Sequence, residues 1–278
     1  MWKPINPDHS IEVMAIAVTF VEPIGSVLFR RITRELETKT FAAGLTERQP
    51  IHGVEFTIGI SPAEAVKQVV TNGIMFDKHS LIRGGDDVVT KKLVEQLQWT
   101  NTNIVYRAWK YSGWPALKAQ ALAIMSAAFA EVVNSVEIRS VRIEYRDRFY
   151  FDGPASQAKA AGVVEPGSDL LSPHIFTADD FWHSHTGKFE PIDGGGKKLL
   201  QVNVDCADLV TPEHLAGLRT VGILTAVELQ YNVAGLVVEG DPVQYLDNAV
   251  QQIHTDVMAL FKRIVDKNML PQIGIHIK

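Results

Sequence analysis

Alternating apolar and polar positions dominate this chain. Twice the alternation gives way to a long stretch with apolar residues every three or four positions. The first such stretch covers residues 115–134, where Pro115 suits an opening helical position and Leu117, Ala121, Ile124, Ala128 and Val132 form a stripe. Its other alanines let neighbouring backbone approach, so this helix is expected to be covered on more than one side. The second stretch covers 242–267: Asp241 caps it, Pro242 takes the first position and Gln244 completes a capping box. Val243, Leu246, Val250, Ile253, Val257, Leu260 and Ile264 mark its buried stripe, while Lys262, Arg263 and Lys267 complement its negative C-terminal end.

Residues 11–21 are apolar on both faces of a two-residue period and predict a strand buried on both sides. A helix follows, from Ser26 as its cap to about Phe41, with Val27, Leu28, Ile32 and Leu36 on one stripe. Extended segments are expected at 54–60, 73–79, 88–99 and 103–109. Between them, Ser61-Pro62-Ala63-Glu64 forms a capping box for a short helix, and Arg83-Gly84-Gly85-Asp86 a hairpin turn. The cleanest alternation lies at 136–151. There Val141, Ile143, Tyr145, Phe149 and Phe151 point one way and Arg142, Glu144, Arg146 and Arg148 the other, with Asp147 read as a counter-charge to the arginines. Residues 152–173, rich in Gly, Pro, Ser and Ala, interrupt the pattern. Beyond them strands are predicted near 175–189, 198–207 and 221–233, with a turn at Asp193-Gly194-Gly195-Gly196 and a short helix starting at Thr211-Pro212.

The predicted fold class is α+β: two similar halves, each an antiparallel sheet backed by a long helix, packed as one pseudo-symmetric unit. The expected divisions are an N-terminal half at 1–152, a connection at 153–173 and a C-terminal half at 174–278. The two passes match in element order and not in residue identity. Halves built alike leave a seam between them, and that groove is the expected seat of a partner or ligand.

Composition narrows the function classes. With 278 residues, 46% of them apolar and 21% charged, the chain can bury a sizeable core and reads as globular. A net charge of −5 and a pI near 6.0 disfavour general nucleic-acid binding. The apolar stretch 13–29 is broken by Glu22 and Pro23, so neither a signal peptide nor a membrane span is expected. A single cysteine, Cys206, rules out an internal disulfide framework and fits a reducing compartment, so the expected location is cytoplasmic.

Candidate chemistry is sparse. His174, Asp179, Asp180, His183 and His185 cluster in sequence, with Asp205 and His214 further on. On a strand His183 and His185 share a face, so a metal site would use those two with Asp205; the competing reading is a surface strand beside an acidic turn. Arg142, Arg146 and Arg148, together with His254, are the candidate anion-binding residues, because guanidinium forks match phosphate and carboxylate; the alternative is a solvated charged face. Gly194 to Lys197 lacks the spacing of a phosphate loop, and the common nucleophile and zinc-hydrolase templates are absent. Cys206 sits in an apolar strand and reads as an inert core thiol. His254 flanks the stripe of the last helix and is expected to bond the facing sheet. Trp99, Trp109 and Trp114 around Tyr106 and Tyr111 read as core packing.

Several landmarks occur in a familiar order. A segment from Asn6 leads into Ile11-Glu12-Val13, Tyr106-x-x-Trp109 precedes a helix, Arg142-x-Glu144-Tyr145-Arg146-x-Arg148 forms a strand, and a late helix carries His254 and Phe261. Over nearly the whole chain this order resembles a sporadically distributed family of uncharacterised bacterial proteins of roughly this length. In that family the arginine strand usually reads Arg-Tyr-x-Asn; here Arg146 and Asp147 follow Tyr145, so no role of the asparagine carries over. The resemblance transfers no activity. Its patchy occurrence implies an accessory role, such as a component of a defence or toxin-antitoxin-like locus.

The expectation is therefore a non-catalytic binding or adaptor protein, needing no cofactor, that takes a protein partner or a small anionic ligand in the groove between its halves. A homodimer is left open. The competing expectations are a metal-assisted hydrolase using His183, His185 and a nearby carboxylate, and a holdase-like chaperone with exposed apolar grooves.

Overall fold

The computed structural model describes residues 1–57, 66–83, 89–209, 215–232 and 235–275, with backbone alone at 53–57 and 66–70. The expected capping box at Ser61 to Glu64, the turn beyond Arg83, the helix start at Thr211-Pro212 and His214 lie outside the described residues.

Among the described residues, ten strands join in one antiparallel sheet. In chain order they are β1 (Trp2–Pro4), β2 (Ile11–Phe20), β3 (Glu47–Thr57), β4 (Val66–Arg83), β5 (Val89–Thr100), β6 (Asn103–Ala108), β7 (Ile138–Phe151), β8 (Trp182–Pro191), β9 (Lys197–Asp208) and β10 (Arg219–Gln230). Across the sheet the order is β3-β4-β5-β6-β2-β7-β10-β9-β8, with β1 added along part of β7. At the centre β2 pairs with β7, setting Ile16 opposite Ile143 and Val18 opposite Val141, and β7 pairs on its other edge with β10.

Three long helices, α1 (Ser26–Ala42), α2 (Trp114–Val132) and α3 (Pro242–Lys262), lie in a row on one face, with α2 touching both neighbours. Side chains fix which face that is. Trp99 of β5 donates to Thr33 of α1 at 3.1 Å, Tyr145 of β7 meets His254 of α3, and Lys198 of β9 bonds Asp256 of α3. The alternation sends Met14, Ile16, Val18, Leu97, Tyr106, Ile143, Phe149, Val204 and Ile223 to this covered face, where burial of apolar surface stabilises the layer by about 25 cal/mol per Å².

This architecture overturns the expectation of two halves, each with its own sheet and its own backing helix. One sheet runs through the whole molecule and a single layer of three helices covers it. The backbone groups of β7 need partners on both edges, and β2 and β10 supply them. The anticipated seam is therefore bridged within the sheet by the hydrogen-bonded β7–β10 pair.

Several local expectations hold. The α2 stripe from Leu117 to Val132 is buried. Asp241 caps α3, its Oδ1 accepting from the Val243 amide at 2.9 Å, and most of the predicted α3 stripe is buried. Gly194 and Gly195, at φ near +82° and +85°, make the β8–β9 turn. Others shift. The cap of α1 is Gly25 and not Ser26, and Val27 is exposed. Gln244 bonds Asn248 at 2.9 Å instead of closing a capping box, and α3 ends at Lys262. Ile175 and Phe176, expected as strand, lie in a short 3-10 turn (Pro173–Phe176), and β8 begins at Trp182.

Candidate ligand-binding cavity

A cavity of about 200 Å³ opens between the central strands and α3. Its polar wall comes from the approach to β2 (His9, Ser10), from Tyr111 after β6, from Tyr145 and Asp147 of β7, and from Thr225 of β10. Ile11, Val257, Met258, Phe261, Ile273 and Ile275 supply the apolar remainder, and exposed Gly274 with half-buried His9 stands at the rim.

Strand register explains why these groups converge. Asp147 is in phase with Tyr145 and Phe149, so the pleat turns its carboxyl to the helix-covered face, whereas Arg146 and Arg148 turn away. On β10, Thr225 lies opposite Tyr145 and Ile223 opposite Asp147. On β2, Ile11 lies opposite Asp147, and a bulge follows between Ile11 and Val13. That irregularity accompanies the turn that brings the Ser10 hydroxyl to 2.7 Å from Asp147 Oδ1.

Asp147 is buried, and burial pushes its carboxyl up to about 7 against the opposing influence of the Ser10 hydrogen bond. Among the described residues no lysine or arginine lines the cavity. Beside Asp147, Thr225 is fully buried and its hydroxyl has no hydrogen-bond partner among the described residues. A buried polar group left unpaired costs on the order of 1–3 kcal/mol, so the Thr225 hydroxyl has hydrogen-bonding capacity to offer a ligand.

The aromatic side is better satisfied. Tyr145 Oη meets His254 Nδ1 at 3.1 Å, and the His254 ring stacks on Trp114 with centroids 3.9 Å apart. Burial, reinforced by Lys118, lowers the imidazole to about 4, so the ring that shares this hydrogen bond with Tyr145 is neutral. Burial also raises both Tyr145 and Tyr111, whose rings sit 6.3 Å apart, so both phenols stay protonated at neutral pH. At the rim, burial lowers His9 while Asp8 works in the opposite direction.

The structure separates the residues proposed as an anion site. Arg142, Arg146 and Arg148 lie on the face away from the helices, whereas His254, on α3, meets Tyr145 on the covered face. Arg142 already donates to Glu144 at 3.0 Å, to Glu228 at 3.4 Å and to Gln201 at 2.9 Å. Arg148 grips both carboxylate oxygens of Glu12, and Arg146 bonds Glu144 at 3.2 Å. Asp147, read from sequence as a counter-charge to these arginines, is on the opposite face.

The proposed metal residues sit at the β8–β9 edge of the helix-free face. The rings of His183 and His185 are 5.3 Å apart, and His185 Nε2 is 2.9 Å from Asp205 Oδ1. His174 reaches the His183 carbonyl, Asp179 pairs with Lys159, and Asp180 pairs with Arg219. Among the described residues no group of three or more His, Cys, Asp or Glu side chains is arranged to hold a metal ion. Cys206 is buried, and burial raises its thiol.

The sequence reading passed over Ser10, Asp147 and Thr225 as site residues. A usable signal existed for Asp147: its odd position in an alternating strand places a carboxylate among Ile143, Tyr145, Phe149 and Phe151. Ser10 and Thr225 carried no comparable signal, because their roles depend on which strands become neighbours.

Fold and cavity together define an α+β protein with one sheet, one helical layer and, between them, a mainly apolar cavity that carries a few polar groups. No protein-family model matches the chain, and a search of curated proteins finds no match.

Proposed function

We propose that the protein is a non-catalytic binding protein that takes a small molecule into the cavity between β7, β10 and α3. The observation that carries this reading is the juxtaposition of the buried Asp147 carboxyl and the unpartnered Thr225 hydroxyl in one concave, mainly apolar space. An apolar cavity of about 150 Å³ suffices for a benzene ring, so this one has room for a single-ring compound. Of the two imidazoles near the cavity, His254 is committed to Tyr145 and Trp114, and His9 at the rim lies 3.3 Å from the Asn6 amide, which supports binding over catalysis. The single cysteine supports a cytoplasmic setting, and the resemblance to a patchily distributed bacterial family supports an accessory role.

The test is a titration of the full chain with benzylamine, benzyl alcohol and benzoate, monitored through the methyl resonances of Ile11, Met258 and Ile275. At least one probe is expected to give saturable shifts at these three residues, and Met258→Trp, which fills the space, is expected to abolish them. Absence of saturable shifts with all three probes would overturn the reading.

A further inference from the structure

Resting on that binding reading, we infer that the cavity is a site for a small organic amine, with Asp147 as the counter-charge to the ammonium and Thr225 as a second acceptor. Among the described residues the walls hold polar groups but no lysine or arginine. From the β2 side the polar groups are His9 and Ser10, from the end of β6 Tyr111, from β7 Tyr145, and from β10 Thr225. The side chains presented by α3 and the C-terminal turn are apolar, and Arg146 and Arg148 project from the opposite face of the sheet. Among the described residues, Asp147 is thus a buried carboxyl with a single hydroxyl donor at 2.7 Å and no cation facing it.

An ammonium group has three donors and no acceptor, and the cavity offers matching acceptors. Asp147 retains lone pairs beyond the one used by Ser10, and the Thr225 oxygen has no partner among the described residues. Tyr111, Tyr145 and Phe261 in the lining add aromatic rings, the residue type whose π faces attract a cation. An anion would meet the Asp147 carboxylate without a compensating positive charge, whereas a neutral alcohol would leave that carboxylate uncompensated in a buried site.

Binding is accordingly linked to a proton. Below about pH 7 Asp147 is protonated, and an ammonium must displace that proton to bind. Affinity for an amine therefore rises as the solution passes from acid to mildly alkaline, and it falls again where the amine itself loses its proton. His9 at the rim, held neutral by burial, adds no opposing charge in the upper part of that range.

The experiment extends the three-probe titration to calorimetry at about pH 5.5 and pH 8. At the higher pH, benzylamine is expected to bind about tenfold or more tighter than benzyl alcohol, and benzoate weakest, as an ion pair formed out of water predicts. At the lower pH the advantage of the amine should shrink toward parity. Asp147→Asn is expected to remove that advantage while leaving benzyl alcohol within about twofold of its original affinity. Thr225→Val, close to isosteric, should weaken benzylamine about threefold or more without loss of folding. Benzyl alcohol or benzoate binding as tightly as benzylamine at pH 8, or an amine advantage that survives Asp147→Asn, would overturn the amine assignment and leave the binding reading standing. No binding by any of the three would overturn both.

Discussion

Asp147 and Arg148 are consecutive on β7 and are held on opposite faces of the sheet. Arg148 grips the Glu12 carboxylate on the helix-free face with bonds of 2.9 to 3.1 Å, and Asp147 accepts from Ser10 inside the protein at 2.7 Å. One step of the pleat thus separates a compensated surface charge from an uncompensated interior one. The interior member has consequences for stability as well as for binding.

Replacing Asp147 with Asn should stabilise the protein above neutrality and change little near pH 4. The folded carboxyl titrates near 7, above its ordinary 3.8, so between those values the folded state holds more protons than the unfolded state. Stability from this group is present at low pH and is lost as pH rises toward 7. An Asn side chain keeps an acceptor for Ser10 without the ionisation, and the gain at pH 8 should be on the order of 2–4 kcal/mol. Urea midpoints of both proteins across pH 4 to 8 decide it: a gain that is the same at every pH would contradict the burial of an ionising carboxyl.

Thr225→Val tests the neighbouring hydroxyl in the absence of ligand. Removing a buried group that has no partner should raise stability by about 1 kcal/mol or more, where most core substitutions lower it. A loss of stability in thermal or urea unfolding would mean that the hydroxyl has a partner, such as an ordered water.

How far the sequence reached is clearest on β7 itself. Its alternation named the two faces correctly, because side-chain direction follows from the pleat alone. The same alternation is silent about neighbours: nothing in residues 138–151 says that β2 lies on one edge and β10 on the other. The Gly/Pro-rich stretch after Phe151 resembled a boundary, yet Val163 and Val164 are buried and Val164 bridges to Val265 after α3. For the site, the pattern made His254 legible as a histidine bonded to the sheet. It could not show that Ser10 and Thr225 meet Asp147, since those contacts span three segments distant in sequence.

Because β7 pairs with β2 on one edge and with β10 of the other expected half on its other edge, damage in the middle of β7 should be felt on both sides. Ile143 is fully buried opposite Ile16. Ile143→Ala should cost about 2–5 kcal/mol. Unfolding followed through methyl resonances of Leu97 and Val204, which lie on opposite sides of the junction, should shift by the same amount for both probes. Separate transitions would restore the picture of two independent halves.

On the helix-free face, Arg142 and Arg146 should respond differently to truncation. Arg142 is 21% exposed and ties Glu144, Glu228 and Gln201 across three strands, so Arg142→Ala leaves two half-buried carboxylates facing each other. A loss of about 1–3 kcal/mol is expected, reduced by salt. Arg146 is 58% exposed and bonds Glu144 alone, so Arg146→Ala should change stability by less than about 0.5 kcal/mol. Equal losses in urea melts would show that the face is not organised around Arg142.

His254 should set the acid side of the stability profile. Burial and Lys118 hold its folded value near 4, below the ordinary 6.5, so between those values the unfolded state binds more protons. Its contribution is complete above about pH 6.5 and is lost as pH falls toward 4, opposite in sign to that of Asp147 over much of the same window. His254→Gln retains a hydrogen-bonding group for Tyr145 and removes both the titration and the stack on Trp114. The variant should therefore be less stable than the parent at pH 8, by about 1 kcal/mol or more for the lost aromatic contact. The gap should narrow steadily as pH is lowered to 5, because the parent loses stability there and the glutamine does not. Urea midpoints of the two proteins at pH 5, 6, 7 and 8 measure the gap, and a constant difference would show that His254 is solvated in the fold and titrates normally.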